Sequence, residues 1–347
     1  MPSSASGDAT PFRPAWYARG GHVQTILGFF ARRKLVWTLP VEDLVVESEP
    51  GVRILGRVTW RPGERSSAPA LVLLHGMGGA DDSTYMISMG IVAHAAGFHV
   101  VRVNMRGAGA SSALTPRLYN AGLESDLVAV IREVARDVPS VFLFGASLGA
   151  NHVLLALGRA RDRLPAAVRA AIAISPPVDL AACSAALHAR RNWIYCSRFT
   201  KQLKATYAEV QPMSGGYYEA GREIGVTTVR EFDERITAPY GGFGSADEYY
   251  AKSSSGPWLH AIDRPTLILS AEDDPMIPGD SVRRFARSGS VTLEMMPTGG
   301  HVAFVAPTTA PGSFWPAERA MAFYLSPRVT DTDPSPLEPR MAGSTRR

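Results

Sequence analysis

The chain has 347 residues, 46% of them hydrophobic, and carries 36 basic against 32 acidic side chains for a net charge of +4. That length and apolar content suit one large core with an insertion, and the scattered Lys and Arg argue against nucleic acid as a partner. Two cysteines, Cys183 and Cys196, are too few for a disulfide framework or a metal cluster and are expected to be ordinary buried thiols.

Residues 1–10 are small and polar without periodicity, as in a disordered leader, and lack the basic-then-apolar order of a secretory signal, so a cytoplasmic location is expected. From Pro11 to Phe30 the chain turns aromatic and glycine-rich, which suggests an irregular arm (residues 1–40) laid across the main body and not a regular amphipathic helix. His22 precedes every expected core strand and is assigned to packing. Arg32, Arg33 and Lys34 beside Phe29 and Phe30 form a basic-aromatic cluster too short to anchor a membrane by itself. A solvated turn is expected there, with transient contact to a membrane surface left open.

Two antiparallel strands are expected near 43–48 and 53–60, joined by Glu49-Pro50-Gly51. The run ALVLLHG then makes a fully buried strand ending in His75-Gly76-Met77-Gly78-Gly79. No phosphate-loop spacing follows; the loop instead suits an oxyanion hole, with the Met77 N–H as one donor and His75 and Gly76 as its support. A helix over Tyr85–Ala96, a strand over FHVVRVN and a helix from Leu123 with apolar residues at 127, 130, 131 and 134 continue the alternation.

The next strand, VFLFGA, leads into Gly145-Ala146-Ser147-Leu148-Gly149 and a helical pattern, the strand-turn-helix setting of a nucleophile elbow. Gly145 and Gly149 flank the turn because a Cβ at either place would meet the turn or the helix behind it. Ser147 is therefore the candidate nucleophile, with the Leu148 N–H as second oxyanion donor. The uncharged stretch between Asp137 and Arg159 has about membrane-spanning length, but polar residues and glycines interrupt it, and a buried strand and helix account for it.

Arg169–Ser175 forms another strand, and Asp179 just beyond it suits a helix start better than a catalytic acid. Residues 179–257 lose the alternation and become rich in Tyr, Phe, Gly and charge. Lying between two core strands, they are expected to form a lid over an apolar pocket. The core (41–178) resumes over 258–326 with PTLILSA, ending in Glu272-Asp273-Asp274-Pro275. Asp274 is preferred over Asp273 as the acid, since Pro275 favours an extended residue before it. VTLEMMP is the last strand, followed by Thr298-Gly299-Gly300-His301, where His301 can swing over the serine. The tail 327–347, rich in Pro, Thr and Ser, is expected to be disordered.

The order Ser147, Asp274, His301 is the Ser…Asp…His succession of α/β-hydrolases, with each residue after a strand. His301 would serve as general base and then acid, and Asp274 would orient it, with no cofactor or metal required. The motifs GGHVQTI, HGMGG, NMRGAGAS, LYNAGLESDL, GASLGAN, REFDERITAPYGGF, EYYAKSS, AEDDPMIP and GGHVAF resemble the YheT-like family of α/β-hydrolases over roughly residues 11–325. The resemblance implies the α/β-hydrolase fold, a mostly parallel sheet of about eight strands flanked by helices with a lid insertion. It also implies Ser147, Asp274 and His301 as the triad and chemistry on carboxylic esters or lipids with apolar acyl chains. Hydrolysis, acyl transfer to an alcohol, and a non-catalytic binding role on the same fold remain the three readings, with the intact constellation weighing against the last. Oligomeric state is left open.

Overall fold

The computed structural model describes residues 11–31, 35–286, 289–307 and 314–330. Its centre is an eight-stranded sheet in the order β1-β2-β4-β3-β5-β6-β7-β8. The strands are β1 (Glu42–Glu49), β2 (Val52–Thr59), β3 (Ala70–Leu74), β4 (His99–Val103), β5 (Val141–Ala146), β6 (Val168–Ile174), β7 (Thr266–Ala271) and β8 (Val291–Met296). β1 and β2 form a hairpin and β2 runs antiparallel to β4, while β4, β3, β5, β6, β7 and β8 are parallel to their neighbours.

The parallel strands are apolar on both faces because helices cover both. In β3, Val72 and Leu74 join one core cluster with Leu127, Ile131, Val153 and Leu157, whereas Leu71 and Leu73 join another with Met86, Met89 and Phe323. The period-two alternation of a strand thus divides one continuous apolar run between two layers. Helices α1 (Gly21–Ala31), α2 (Thr84–Ala95), α3 (Glu124–Val134) and α4 (Leu148–Gly158) precede β6. The first cluster holds α3 and α4; the second holds α2 and a helix near the end of the chain, Trp315–Tyr324.

Between β6 and β7 the described structure is helical. It runs through α5 (Leu180–Leu187), α6 (Trp193–Met213), α7 (Val229–Phe232), a wide turn over 233–237, α8 (Ala238–Tyr240) and α9 (Ala246–Ser253). Its aromatic residues pack partly among themselves, Tyr207, Tyr218 and Phe232 sharing a small core of their own. Asp179 caps α5, its carboxylate accepting the Ala182 N–H at 3.0 Å, the helix-start role expected for it. α10 (Gly279–Phe285), α11 (Trp315–Tyr324) and α12 (Pro327–Thr330) complete the described helices.

Two expectations need correction. The arm is not irregular throughout: residues 21–31 form α1. Its buried positions, Gly21, Gln24 and Gly28, recur at helical spacing but are not apolar, so a search for a hydrophobic stripe passes over them. The tail also begins later than Pro327, because Pro327–Thr330 makes a helical turn with Val329 buried. Residues 331–347, residues 1–10 and the cluster Arg32, Arg33 and Lys34 lie outside the described residues.

Candidate active site

Ser147 sits between the last residue of β5 and the first of α4, with φ 52° and ψ −121°. A non-glycine residue in this region is strained and persists only where its surroundings fix it. Here the Ser147 N–H donates to the Ile174 carbonyl at 2.8 Å, and the Ala150 N–H donates to the Ser147 carbonyl at 2.9 Å. The flanking glycines permit the sharp turn. A Cβ on Gly145 would lie 2.5 Å from the Gly149 carbonyl oxygen, and one on Gly149 would lie 2.3 Å and 2.4 Å from those of Leu74 and His75.

The structure brings Ser147, His301 and Asp274 into one chain of hydrogen bonds. His301 Nε2 lies 2.8 Å from Ser147 Oγ, and His301 Nδ1 lies 2.9 Å from Asp274 Oδ2. A carboxylate only accepts, so Nδ1 carries the proton and Nε2 is free to accept from the serine hydroxyl. Asp274 Oδ1 accepts the N–H groups of Met276 at 2.9 Å and Ile277 at 3.0 Å, and its side chain has no exposed surface. Three hydrogen bonds to the ionised form offset the cost of that burial.

Asp273 faces the other way. Its carboxylate accepts from the Thr298 hydroxyl and from the N–H groups of Gly299 and Gly300, the last two at 2.9 Å. Adjacent acids thus divide the work: one binds the loop that carries the histidine and the other binds the ring. That loop is also held from α1, where Thr25 Oγ1 accepts the His301 N–H at 2.9 Å and Gln24 Oε1 accepts the Val305 N–H. His22, on the same helix, contacts the Tyr195 hydroxyl at 3.1 Å and does not enter the Ser147–His301–Asp274 chain.

The loop after β3 lies against the serine, since a Cβ on Gly76 would come 3.0 Å from Ser147 Cβ. Its backbone is tethered on both sides of Met77: the Gly76 N–H donates to the Tyr85 hydroxyl at 2.7 Å and the Gly78 N–H to the Tyr119 hydroxyl at 2.8 Å. Among the described residues, the N–H groups of Met77 and Leu148 have no partner within the protein. His75 is buried between this loop and the one after β4, its Nε2 accepting the Met105 N–H at 3.1 Å and its Nδ1 lying 2.8 Å from the Gly76 carbonyl. Burial holds its pKa down at about 4, so it is a neutral brace.

The serine opens on a cavity of about 120 Å³ lined mainly by apolar residues, among them Met77, Leu148, Leu187, Phe199, Leu203 and Ile277. Asp233 is a carboxyl on its wall, bonded to the Tyr250 hydroxyl at 2.8 Å, and burial pushes its pKa up to about 6. Cys183 also lines the cavity, and burial raises its thiol well above the usual range. Neither Asp233 nor Tyr250 stands out in the sequence as a site residue. The same holds for Thr25, Tyr85 and Tyr119, whose partners come from distant parts of the chain; the only trace of Thr25 and Tyr119 is their place in GGHVQTI and LYNAGLESDL.

A family model described as alpha/beta hydrolase fold matches residues 69–307. YheT of Escherichia coli (strain K12) is 28% identical over 302 residues, spanning 85% of this chain and 87% of its own. Phospholipase ABHD3 of Mus musculus is 29% identical over 247 residues, spanning 70% of this chain but 60% of its own, so this chain matches somewhat over half of that relative. In shape, the Pyrococcus furiosus esterase Pf2001 superposes with a TM-score of 0.56 at 15% identity, over 84% of this chain and 93% of that one. The matched span runs from the residue before β3 past His301, well over half of the sequence. The chain belongs to the alpha/beta hydrolase fold family.

Proposed function

We propose that this protein is a serine hydrolase of carboxylic esters with short- to medium-chain apolar acyl groups. The observation that carries the reading is the unbroken chain from Ser147 Oγ through His301 to the buried Asp274, at a strained turn facing an apolar cavity. Ser147 Oγ attacks the ester carbonyl as His301 Nε2 takes its proton. The tetrahedral oxyanion is held by the Met77 and Leu148 N–H groups, each such donor being worth about 10²- to 10³-fold in rate. The imidazolium, stabilised by Asp274, returns the proton to the departing alcohol and leaves an acyl-enzyme. Water, deprotonated by the same imidazole, then releases the acid.

In this reading the described residues of 179–257 are a lid over the described core of 41–178 and 258–326, and residues 11–31 and 35–40 an arm across it. The cavity of about 120 Å³, lined mainly by apolar side chains, is where the acyl chain would lie. Acyl transfer to an alcohol shares the first half-reaction and differs only in what attacks the acyl-enzyme.

The test is hydrolysis of p-nitrophenyl esters from acetyl to decanoyl by wild type and Ser147→Ala, with and without ethanol. Turnover lost in the variant, with free acid as product, is the expected result. A dominant ethyl ester at modest ethanol concentration would make the protein an acyltransferase. Equal rates in both proteins would remove Ser147 from the chemistry.

A further inference from the structure

Helix α1 is amphipathic in the reverse sense. Its buried stripe is Gly21, Gln24 and Gly28, while Val23, Ile26, Phe29 and Phe30 are exposed, Phe30 by 53%. Just before it, Trp16 is 78% exposed and Tyr17 is also exposed. α1 docks by polar and close backbone contacts: Gln24 holds the 305 backbone, and a Cβ on Gly21 would fall 1.6 Å from the Asp273 carbonyl oxygen. The hydrophobic effect therefore contributes little to the docking of this helix, and its apolar side is turned to the outside.

A second exposed apolar element adjoins it. The first turn of α6 presents Trp193, 66% exposed, and Ile194. The two elements touch where the His22 and Tyr195 rings stack at 5.7 Å and where the Arg198 guanidinium lies 4.0 Å from the Phe29 ring centre. Farther along α6, Phe199 and Leu203 line the cavity, and Thr25 on α1 binds the His301 backbone. The apolar surface thus borders the candidate active site from two sides.

Charge selects the occupant. Neither residues 11–41 nor residues 180–208 contain an Asp or Glu. Arg13, Arg19, Arg190, Arg191 and Lys201 are exposed in the same two segments. Asp273, the acid that α1 approaches, spends its carboxylate on the 298–300 turn. Trp and Tyr beside Phe and Ile in basic, acid-free segments is the composition of a surface that lies in a bilayer interface. A second copy of the chain would set two such acid-free, basic segments against each other.

We propose that the outer face of α1, Trp16 and Tyr17 before it and the first turn of α6 together dock on an anionic lipid bilayer, placing the cavity beside its ester substrate. The delivery part rests on the ester-hydrolase reading, whereas docking itself does not. Basic side chains draw the protein to the surface, and the exposed apolar ones enter the headgroup layer, so binding weakens with salt but is not abolished by it.

The experiment is sedimentation of the full chain carrying Ser147→Ala with vesicles of phosphatidylcholine containing phosphatidylglycerol, against phosphatidylcholine alone. Preference for the anionic vesicles is expected. In the same background, Phe30→Ser with Trp193→Ser should lower vesicle partitioning by about tenfold or more. Arg190→Glu with Arg191→Glu should remove the preference for phosphatidylglycerol. Both pairs, placed in the otherwise wild-type chain, should leave hydrolysis of a soluble p-nitrophenyl ester unchanged. No sedimentation with either vesicle, or equal partitioning of the variants, overturns the proposal. So does a dimer in sedimentation velocity that the Phe30 and Trp193 changes dissociate, since the surface would then be covered by a second copy. Vesicle binding together with inertness toward every ester would sink the hydrolase reading and leave the docking surface standing.

Discussion

Asp274→Asn should nearly abolish turnover while leaving the fold intact, and the structure says which way the new amide turns. Oδ1 of Asp274 faces two backbone donors, Met276 N–H at 2.9 Å and Ile277 N–H at 3.0 Å, and Oδ2 faces His301 Nδ1. Placing the amide NH₂ toward the backbone would strand two buried donors at about 1–3 kcal/mol each, so the oxygen stays there and the NH₂ points at the ring. His301 must then accept at Nδ1 and carry its proton on Nε2, where it can no longer take one from Ser147. The expected fall in kcat is about 10⁴-fold, or ~5.5 kcal/mol of barrier. Asp273→Asn is the contrasting case: its oxygen can keep the Gly299 and Gly300 N–H groups, and Thr298 Oγ can accept from the new NH₂ in place of donating. That variant should stay within about tenfold of wild type. Steady-state hydrolysis of p-nitrophenyl butyrate, with thermal unfolding as the control for folding, measures both. A greater loss in Asp273→Asn, or Asp274→Asn folded and within about tenfold of wild type, would refute the division of labour between the two acids.

Thr25→Val removes the acceptor of the His301 N–H and should lower kcat about tenfold, with Thr25→Ser restoring it, if the arm helix steadies the histidine loop; unchanged kinetics in the valine variant would remove that role. Gly149→Ala forces a Cβ against the Leu74 and His75 carbonyl oxygens and should cost on the order of 3 kcal/mol or more in denaturant titration; a variant as stable as wild type would show that α4 can shift at no cost. The raised pKa of Asp233, pushed by burial from 3.8 to about 6, means that between those values the folded chain binds more protons than the unfolded one. This group's contribution to stability therefore falls as pH rises through that window, by up to ~3 kcal/mol, and the difference between wild type and Asp233→Asn should follow it; a flat difference would place the carboxyl in contact with water.

Much of this architecture is legible in the chain because local rules and tertiary demand agree. Apolar runs such as ALVLL and TLILSA are strands covered on both faces, and Gly145 and Gly149 stand where the elbow leaves no room for a Cβ. α1 escapes the same logic because its stripes are inverted, with Gly and Gln inside and Val, Ile and Phe outside. The braces Tyr85 and Tyr119 escape for another reason. Each accepts one hydrogen bond from a backbone N–H of a loop 9 or 41 residues away, and neither spacing nor propensity encodes such a contact. Asp233 belongs with them: one acid among Glu231, Glu234 and two arginines looks solvated until Tyr250 and the cavity wall enclose it.

The pairing of Asp273 and Asp274 has a mechanical consequence. Because neighbouring residues just after β7 grip the histidine loop and the histidine ring separately, imidazole and carboxylate are bolted to one mount at two points. The serine rides on another mount, the β5–α4 junction, anchored to β6 through Ile174. A small relative displacement of the two mounts would therefore stretch the Ser147–His301 contact, and with it the 3.2 Å bond from the Val302 N–H to the Ser175 hydroxyl, while leaving the imidazole and its carboxylate in register. Alignment of the whole assembly reduces to the spacing of these two mounts, which at the reacting atoms is 2.8 Å.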